Sequence, residues 1–509
     1  MSTNVHGMKL DVTAVAARTT KSAGWLVIAR LLTKGIDFLA LLIIARLLTP
    51  SQFGLVAIAM TAVLIVEAVF GLPISQILTR LDIRRSHLDT AFTVGLIRGL
   101  LVASLLICIA IPFAEIYDDR RLVFIVALLG LAPALRGLTS PAMAFFSQSL
   151  DYRRDFIIEL TSKAMAFVLS TLAAFYFRDY RALIIGTIAT PAVMVMVSYI
   201  LAPYRPRLSL AEWPEFSRFV GWSTAAQFID AINWQCDRLA LGHYVPRLTF
   251  GAFSVANELA YLPEQSIIKP ITRPLMSAFA LIRSDRARLA AAYERTALAV
   301  LAIGAPAMIG LSMLAGPAVT LALGEKWKAA EPILQILPLT LIPALFVSPM
   351  NSLAMGLGRP DITTRQTVYE TFIKLPLVLV GACWFGIIGV VIARAASGIL
   401  TAGVALRFVR TLVGTPVAQQ IYSIRRIFVS NLALTVVLAA ARPITYGHTG
   451  ITLFLAVTVV AGAAVAGYVA ALGCCWYFAG RPSGFEQALF EKVRSIAGRA
   501  SLAASRQLN

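Results

Sequence analysis

The sequence predicts an all-α, polytopic membrane protein with about fourteen transmembrane helices: two six-helix bundles followed by a terminal helix pair. Three observations predict it. Hydrophobic residues make up 58% of the 509 residues and charged residues only 14%, which is too apolar for a soluble globular domain. Apolar stretches of ~20 residues, the length that crosses a bilayer, recur along the chain. Basic residues concentrate in alternate connections, as the positive-inside rule requires.

The first two apolar stretches meet at Thr49-Pro50, where proline can begin a helix but is disfavoured inside one. Arg30, Lys34 and Asp37 fall at i, i+4 and i+7 of the first stretch and therefore share one helix face. Glu67 lies about fifteen residues into the second stretch, near the depth of a bilayer midplane. Charges at that depth are costly unless they are paired or face water, so this hairpin predicts an interior that accommodates charge.

Fourteen stretches are long and apolar enough to be predicted spans, at ~20 residues each. The weakest is 217–241, because it contains Asp230, Asp237 and Arg238. The predicted helices are 23–48, 52–78, 88–112, 121–147, 153–177, 181–202, 217–241, 249–268, 289–315, 331–356, 362–385, 387–409, 426–446 and 451–478.

These spans divide the chain into consecutive segments. The N-terminus is polar and lacks the apolar core and cleavage site of a secretory signal, so we expect the first helix to be retained. Prolines and charges in PYRPRLSLAEWPEF are typical of a linker at the membrane interface. The predicted segments are a cytoplasmic N-terminal segment 1–22, a first bundle 23–202, an interfacial linker 203–216, a second bundle 217–409, a terminal helix pair 426–478 and a cytoplasmic tail 479–509.

Loop charge predicts the orientation. The connection 113–121 carries three acids, whereas the alternate connections and both tails are basic. Positive-inside reasoning places the basic connections and both termini in the cytoplasm, and this requires an even number of spans. The basic connections contain Arg80, Arg84, Arg85, Arg153, Arg154, Arg205, Arg207, Arg283, Arg286 and Arg288, among others.

The sequence also repeats weakly at a spacing of about 200 residues. Repeated halves with a site between them are a common plan in transporters, so the repeat predicts two related halves. The recurring patterns are Pro50-Ser-Gln-Phe-Gly54 with Pro246-Arg-Leu-Thr-Phe-Gly251, Ser140-Pro141 with Ser348-Pro349, and Glu159/Lys163 with Glu370/Lys374.

Four stretches, taken in order, resemble a known family. They are ARLLTPSQFGLVAIA (45–59), FFSQSLDYRRDFIIE (145–159), PLMSAFALIRSDRARLAAAYERT (274–296) and LGEKWKAAEPILQIL (323–337). A fifth, GIIGVVIARAASGIL (386–400), is similar to the glycine-marked start of a late helix in that family. The resemblance, which covers most of residues 20–410, is to the polysaccharide transporters of the multidrug/oligosaccharidyl-lipid/polysaccharide exporter superfamily. Within it, the chain is similar to the lipopolysaccharide and exopolysaccharide flippases, including exporters of succinoglycan-type exopolysaccharide.

The resemblance implies two six-helix bundles arranged as a V, with a cavity that opens to one membrane face at a time. It implies a flippase and not an enzyme, with no cofactor. The implied substrate is an undecaprenyl-pyrophosphate-linked oligosaccharide, moved from the cytoplasmic to the periplasmic leaflet of the bacterial inner membrane. Protons or sodium are the implied coupling ions. Membrane lipids and the polymerase and co-polymerase of the same pathway are the implied partners.

Several cations fall inside predicted helices. A guanidinium binds a pyrophosphate through bidentate hydrogen bonds. Arg30, Arg98 and Arg136 have no acid at helical spacing, so we expect them to point into one shared, water-filled cavity. Three other cations have the spacing of intrahelical ion pairs, in Lys34–Asp37, Glu159–Lys163 and Glu370–Lys374. The candidate substrate-binding residues are Arg30, Lys34, Arg98, Arg136, Lys163, Lys374 and Arg394.

Four carboxylates lie deep enough to be considered for ion coupling. A buried carboxylate that accepts a proton can carry it through a conformational cycle. The alternative, which we favour for each, is that the acid only neutralises a neighbouring cation. These acids are Asp37, Glu67, Asp230 and Glu258.

The residues favour this function over three alternatives. A multidrug exporter of the same fold would use acids and aromatics to attract cations, whereas intramembrane cations outnumber isolated acids here. A membrane polysaccharide polymerase or ligase needs a catalytic grouping, and the longest predicted periplasmic connection, 316–330, holds none. The net charge of +19 would indicate nucleic acid in a soluble protein, but the basic residues lie between apolar segments. Cysteines and histidines lack metal-ligand spacing, so no metal is expected.

Overall fold

The computed structural model describes residues 32–72, 74–78, 83–149, 152–272, 274–445 and 448–481, together with 485 and 487. Within these residues all regular secondary structure is helical, which confirms the all-α class. Eight of the described helices are each long and apolar enough to cross a bilayer. A ninth span results if the bent pair Glu325–Thr340 and Ala344–Gly356 is counted as one. The chain is therefore a multi-pass membrane protein, and the count of fourteen spans stays a prediction.

The helices follow one another through short connections. In chain order they are α1 (32–47), α2 (Pro50–Val69), α3 (Ile74–Leu78), α4 (Arg85–Ile116), α5 (Arg121–Leu129), α6 (Leu131–Gly137), α7 (Ala144–Gln148), α8 (Tyr152–Phe177), α9 (Arg181–Leu201), α10 (Trp213–Tyr244), α11 (Arg247–Pro263), α12 (Lys269–Thr272), α13 (Leu275–Leu281), α14 (Arg286–Met313), α15 (Ala315–Ala322), α16 (Glu331–Thr340), α17 (Ala344–Gly356), α18 (Pro360–Val413), α19 (Val417–Ala440), α20 (Arg442–Thr445) and α21 (Gly450–Phe478). A π-helical turn, Glu264–Ile268, joins α11 to α12, and 3-10 turns at Pro141–Met143 and Glu325–Ala330 precede α7 and α16.

The long element α18 consists of two helices that meet at Gly386. This residue has φ 57° and ψ −131°, a conformation that glycine adopts because it has no Cβ. Beside the turn, the backbones of Gly381 and Gly389 approach so closely that a Cβ on either would clash with the other. Further along, Gln366 Nε2 donates to the Thr401 carbonyl at 3.0 Å. The two halves therefore run antiparallel, which confirms the separate helices predicted on either side of residue 386.

Chain contacts divide the molecule into two compact units. Unit 1 contains the described residues up to Leu48 and Leu55–Ala231, and unit 2 contains Thr49–Gly54 and the described residues from Ile232 onward. In unit 1, α4 packs on α5 and α6, and α8 packs on α9. In unit 2, α14 packs on α16, α17 and α19, and α19 packs on α21.

Large apolar side chains remain exposed along the long helices of both units, as at Ile107, Leu172 and Phe385. In a membrane these side chains face lipid tails, which are as apolar as the side chains themselves.

Residues 203–210, within the predicted interfacial linker, run without regular structure along the first turns of α4 in unit 1. The Tyr204 hydroxyl donates to Asp89 at 2.7 Å, and the Ser209 amide donates to Thr93 Oγ1 at 2.9 Å. Partial burial and the hydrogen bond to Asp89 raise the pKa of Tyr204 to about 12. The phenol is therefore a proton donor throughout the physiological range, and the linker is held on α4.

Candidate functional site

In unit 1, two of the three predicted arginines meet at Glu67, in the last turn of α2. Arg136 of α6 donates to both carboxylate oxygens of Glu67, and Arg98 Nη2 of α4 donates to its main-chain carbonyl at 3.3 Å. Two guanidinium groups and one carboxylate leave a formal charge of plus one. Arg30, the third arginine, lies outside the described residues.

The two side chains of the Arg136–Glu67 ion pair differ in how much of their surface is exposed. The Arg136 side chain remains 44% exposed, whereas that of Glu67 is 13% exposed. The carboxylate therefore holds the guanidinium from one side and leaves part of its surface open. A second anion can approach Arg136 from that open side, since an arginine offers five N–H donors.

A second cluster in unit 1 surrounds Asp37 of α1. Lys163 of α8 donates to Asp37 at 2.7 Å, and Lys34 Nζ lies 3.7 Å from the same carboxylate. Glu159 lies 3.6 Å from Lys163. The predicted pairs Lys34–Asp37 and Glu159–Lys163 are thus confirmed, and the structure adds a pair between helices. The four formal charges cancel.

In unit 2 the predicted pair Glu370–Lys374 is wrong. Lys374 Nζ lies 3.3 Å from Asp237 Oδ2 of α10 and donates to the Asn233 carbonyl at 2.7 Å. Across the described part of the chain, no ion pair within 4 Å joins Lys374 to Glu370. The reason is burial: the Lys374 and Asp237 side chains are 12% and 7% exposed, and a buried ammonium needs a partner in the same low-dielectric surroundings.

Arg394 completes this cluster from the second half of α18. Its Nη1 lies 3.5 Å from Asp237 Oδ2 and donates to Asn257 Oδ1 at 2.8 Å. Its Nη2 donates to the Tyr261 hydroxyl at 3.0 Å. One carboxylate therefore holds two cations, one from each half of α18. No sequence spacing links Asp237 to Arg394, although Arg394, with no acid at helical spacing, required one from another helix.

Asp37, Glu67 and Glu258, among the acids considered for ion coupling, are held in ion pairs. Asp37 and Glu67 have the partners given above, and Glu258 accepts from Arg238 at 2.5 Å. Asp230 is exposed. The three pairs are those expected of acids that neutralise neighbouring cations.

A polar cavity of about 400 Å³ lies beside the Asp237 cluster in unit 2. Interrupted helices contribute part of its wall. The π-helical turn contributes Glu264, and the 42° bend before α17 contributes Leu341 and Ala344. Interrupted helices at membrane depth occur where the backbone lines a cavity. Lys374 and Arg394 also line this space, together with Trp234, Tyr261, Lys269, Ser348, Asn351 and Glu370.

One further group in unit 1 carries metal-ligating side chains. Ligand atoms of His87, Glu212 and Glu215 lie within 4.8 Å of one another. However, His87 Nδ1 accepts a hydrogen bond from the Arg84 amide at 3.1 Å. The neutral ring must then carry its proton on Nε2, which lies 3.3 Å from Glu215 Oε2. Because a ligating nitrogen must be unprotonated, the contacts fit a hydrogen bond from His87 to Glu215 and do not fit a metal.

Comparisons with known proteins agree with the membrane-transporter architecture. Residues 43–332, more than half of the chain, match the family described as polysaccharide biosynthesis protein. The lipopolysaccharide biosynthesis protein WzxC of Escherichia coli (strain K12) is 26% identical over 379 residues, which cover 73% of this chain and 77% of that protein. The succinoglycan biosynthesis transport protein ExoT of Rhizobium meliloti (strain 1021) is 25% identical over 331 residues, covering 64% and 67%.

Among solved structures, the lipid II flippase MurJ in an inward closed conformation has the same fold. The TM-score is 0.71 at 13% sequence identity, and the match covers 89% of this chain and 99% of that chain. At this level of identity the likeness establishes the fold of the chain.

Proposed function

Since the chain belongs to the family of polysaccharide biosynthesis proteins, we propose that it is a flippase for undecaprenyl-pyrophosphate-linked oligosaccharides. It moves these units from the cytoplasmic to the periplasmic leaflet of the bacterial inner membrane, for exopolysaccharide or lipopolysaccharide synthesis. The relatives named for succinoglycan transport and lipopolysaccharide biosynthesis support this substrate class. The observation that carries the proposal is the net-positive arginine pair at Glu67.

The exposure of charged side chains in unit 1 supports a water-filled entry for the substrate. Arg136 and Asp37 keep 44% and 43% of their side chains exposed, and such exposure to lipid would be too costly. A lipid-linked pyrophosphate can therefore enter with its head group in water. Arg136, steadied by Glu67, and Arg98 bind the pyrophosphate through charge-assisted hydrogen bonds. The charges of Lys34 and Lys163 are cancelled by Asp37 and Glu159, so these lysines stay proposed secondary contacts, as does Arg30.

The multidrug alternative receives no support from this site. A cationic drug would be repelled by a cluster with an excess of positive charge, and it would need an unpaired acid. Asp37, Glu67, Asp230 and Glu258 stay proposed candidates for coupling to a proton or sodium gradient. The observed ion pairs of three of these acids favour a neutralising role.

We place both termini in the cytoplasm and the acidic connection around residue 118 in the periplasm, from the loop charges. Reporter fusions after residues 117 and 327 should read periplasmic, and those after 84 and 286 cytoplasmic. A polymerase and co-polymerase that receive the exported units are the proposed protein partners.

The proposed function is tested by replacing the two arginines that meet at Glu67. Arg98→Gln and Arg136→Gln each remove a charge-assisted donor worth about 1.5–3 kcal/mol, so polysaccharide export should fall by about tenfold or more. Lipid-linked oligosaccharide should then accumulate in the cytoplasmic leaflet. The measurement is exported polysaccharide per cell at equal protein level.

Arg121→Gln is the matched control, because Arg121 in unit 1 is also an exposed arginine bound to an acid, Asp119. It should leave export close to the wild-type level. Wild-type export by both the Arg98 and Arg136 variants would remove the reason for assigning an anionic lipid substrate.

A further inference from the structure

The unit 2 cavity differs chemically from the arginine pair of unit 1. Three cations at the cavity are matched by three acids, so the formal charges of the group cancel. They are Lys269, Lys374 and Arg394, with Asp237, Glu264 and Glu370. The two most buried cations, Lys374 and Arg394, are already held by Asp237. Such a site has little net attraction for a pyrophosphate and suits an uncharged polar ligand.

An aromatic platform lines the same cavity. The Trp234 ring lies 4.8 Å from the Tyr261 ring, centroid to centroid, and Lys269 Nζ lies 5.8 Å from the Trp234 centroid. These neighbours fix the indole, yet 48% of Trp234 remains exposed. A tryptophan fixed in this way offers a rigid apolar surface inside a polar space.

Within the described part of the chain, two amide side chains in the cavity lining each have an oxygen that lacks a hydrogen-bond partner. Among the residues that the structure describes, Asn233 Oδ1 and Asn351 Oδ1 are buried and have no hydrogen-bond partner. An unsatisfied buried acceptor costs about 1–3 kcal/mol, which a ligand donor recovers. The half-buried carboxylate of Glu370 is a further acceptor in the wall.

We propose that this cavity binds sugar residues of the lipid-linked oligosaccharide. A sugar ring has an apolar C–H face and a rim of hydroxyl donors. The face packs on Trp234, while the hydroxyls donate to Asn233, Asn351 and Glu370. The volume of about 400 Å³ falls in the range of small-molecule sites. A lipid tail would leave these polar groups unsatisfied, which excludes it as the occupant.

The sugar site rests on the proposed flippase function. The experiment below gives different results when the sugar site is wrong and when the flippase function is wrong. Purified full-length protein in proteoliposomes is given two substrates: undecaprenyl pyrophosphate carrying the complete oligosaccharide unit, and undecaprenyl pyrophosphate carrying only its first sugar. The wild type should move the complete unit about tenfold faster, since one stacked ring with its hydrogen bonds suffices for such a preference. Trp234→Leu and Asn351→Ala should each lower this ratio towards one.

Trp384→Leu is the matched control, because Trp384 is 74% exposed on α18 and does not line the cavity. It should keep the wild-type ratio. A ratio that stays at the wild-type value in both cavity variants, each recovered folded with a wild-type melting temperature, would overturn the sugar site. Failure of the wild type to move either substrate would instead overturn the proposed function. Arg98→Gln should slow both substrates alike, which separates pyrophosphate binding from sugar binding.

Discussion

The same Glu-x-x-x-Lys pattern occurs in both units, but the lysine has an exposed acid as its interhelical partner in unit 1 and a buried one in unit 2. In unit 1, Lys163 contacts Asp37 across helices and keeps its intrahelical partner Glu159, and Asp37 is 43% exposed. In unit 2, Lys374 contacts Asp237, which is 7% exposed, and not Glu370. Helical spacing thus identifies groups that are able to meet, whereas burial decides which of them do.

A second pair of corresponding residues, Glu67 and Glu264, also differs in its local charge. Allowing for the one inserted residue, Glu264 stands where Glu67 stands after its proline. Glu67 holds Arg136 and leaves the local charge positive, whereas Glu264 lies 3.6 Å from Lys269 beside a cavity whose charges cancel. The corresponding glutamates thus lie beside a positive local charge in unit 1 and beside a neutral polar cavity in unit 2, which is the difference that the proposed binding of pyrophosphate and of sugar requires.

The largest expected effect concerns the two central aspartates. Asp237→Asn leaves Lys374 and Arg394 buried without a counter-charge, which should cost about 3–5 kcal/mol of unfolding free energy. Asp37→Asn should cost about 0–1 kcal/mol, because its pair is exposed and Lys163 keeps Glu159. Denaturant unfolding in detergent micelles, followed by tryptophan fluorescence, measures both. Equal losses would contradict the difference in burial.

A smaller effect tests which acid is the partner of Lys374. In a double-mutant cycle, Lys374→Met and Asp237→Asn should show a coupling energy of about 1–3 kcal/mol. Lys374→Met and Glu370→Gln should be additive within about 0.5 kcal/mol. The same unfolding measurement applies to both cycles. Strong coupling to Glu370 would restore the intrahelical pair that the structure excludes.

Sequence reasoning predicted much of the fold because hydropathy and helix-breaking residues are local signals. The turn at Gly386 and the two intrahelical pairs of unit 1 follow from such signals. The cost of a lone arginine in a membrane also made Arg98 and Arg136 candidates for a common site, and the structure brings them together at Glu67. Their contact with this acid could not be predicted, since no spacing links residues on α2, α4 and α6.

The unit 2 cavity was beyond sequence reasoning for a different reason. It depends on interruptions of helices, namely the π-helical turn after Pro263 and the bend before Ala344. Neither interruption changes the apolar periodicity on which spans are predicted. Asp237 was likewise read as weakening a predicted span, whereas it neutralises two cations from other parts of the chain.

The smallest expected effect concerns two corresponding serines. Here the substitution in unit 1 should lower the unfolding free energy more than the substitution in unit 2. Ser140 is buried, and its Oγ donates to the Ala202 carbonyl at 2.8 Å. Ser348, its counterpart, lines the unit 2 cavity, and among the described residues its hydroxyl has no hydrogen bond. Ser140→Ala leaves a buried carbonyl without its donor and should cost about 1 kcal/mol. Ser348→Ala should change the unfolding free energy by less than about 0.5 kcal/mol. A larger loss at Ser348 than at Ser140 would mean that the wall of the cavity is closed and packed, and the sugar site would then lose the space it requires.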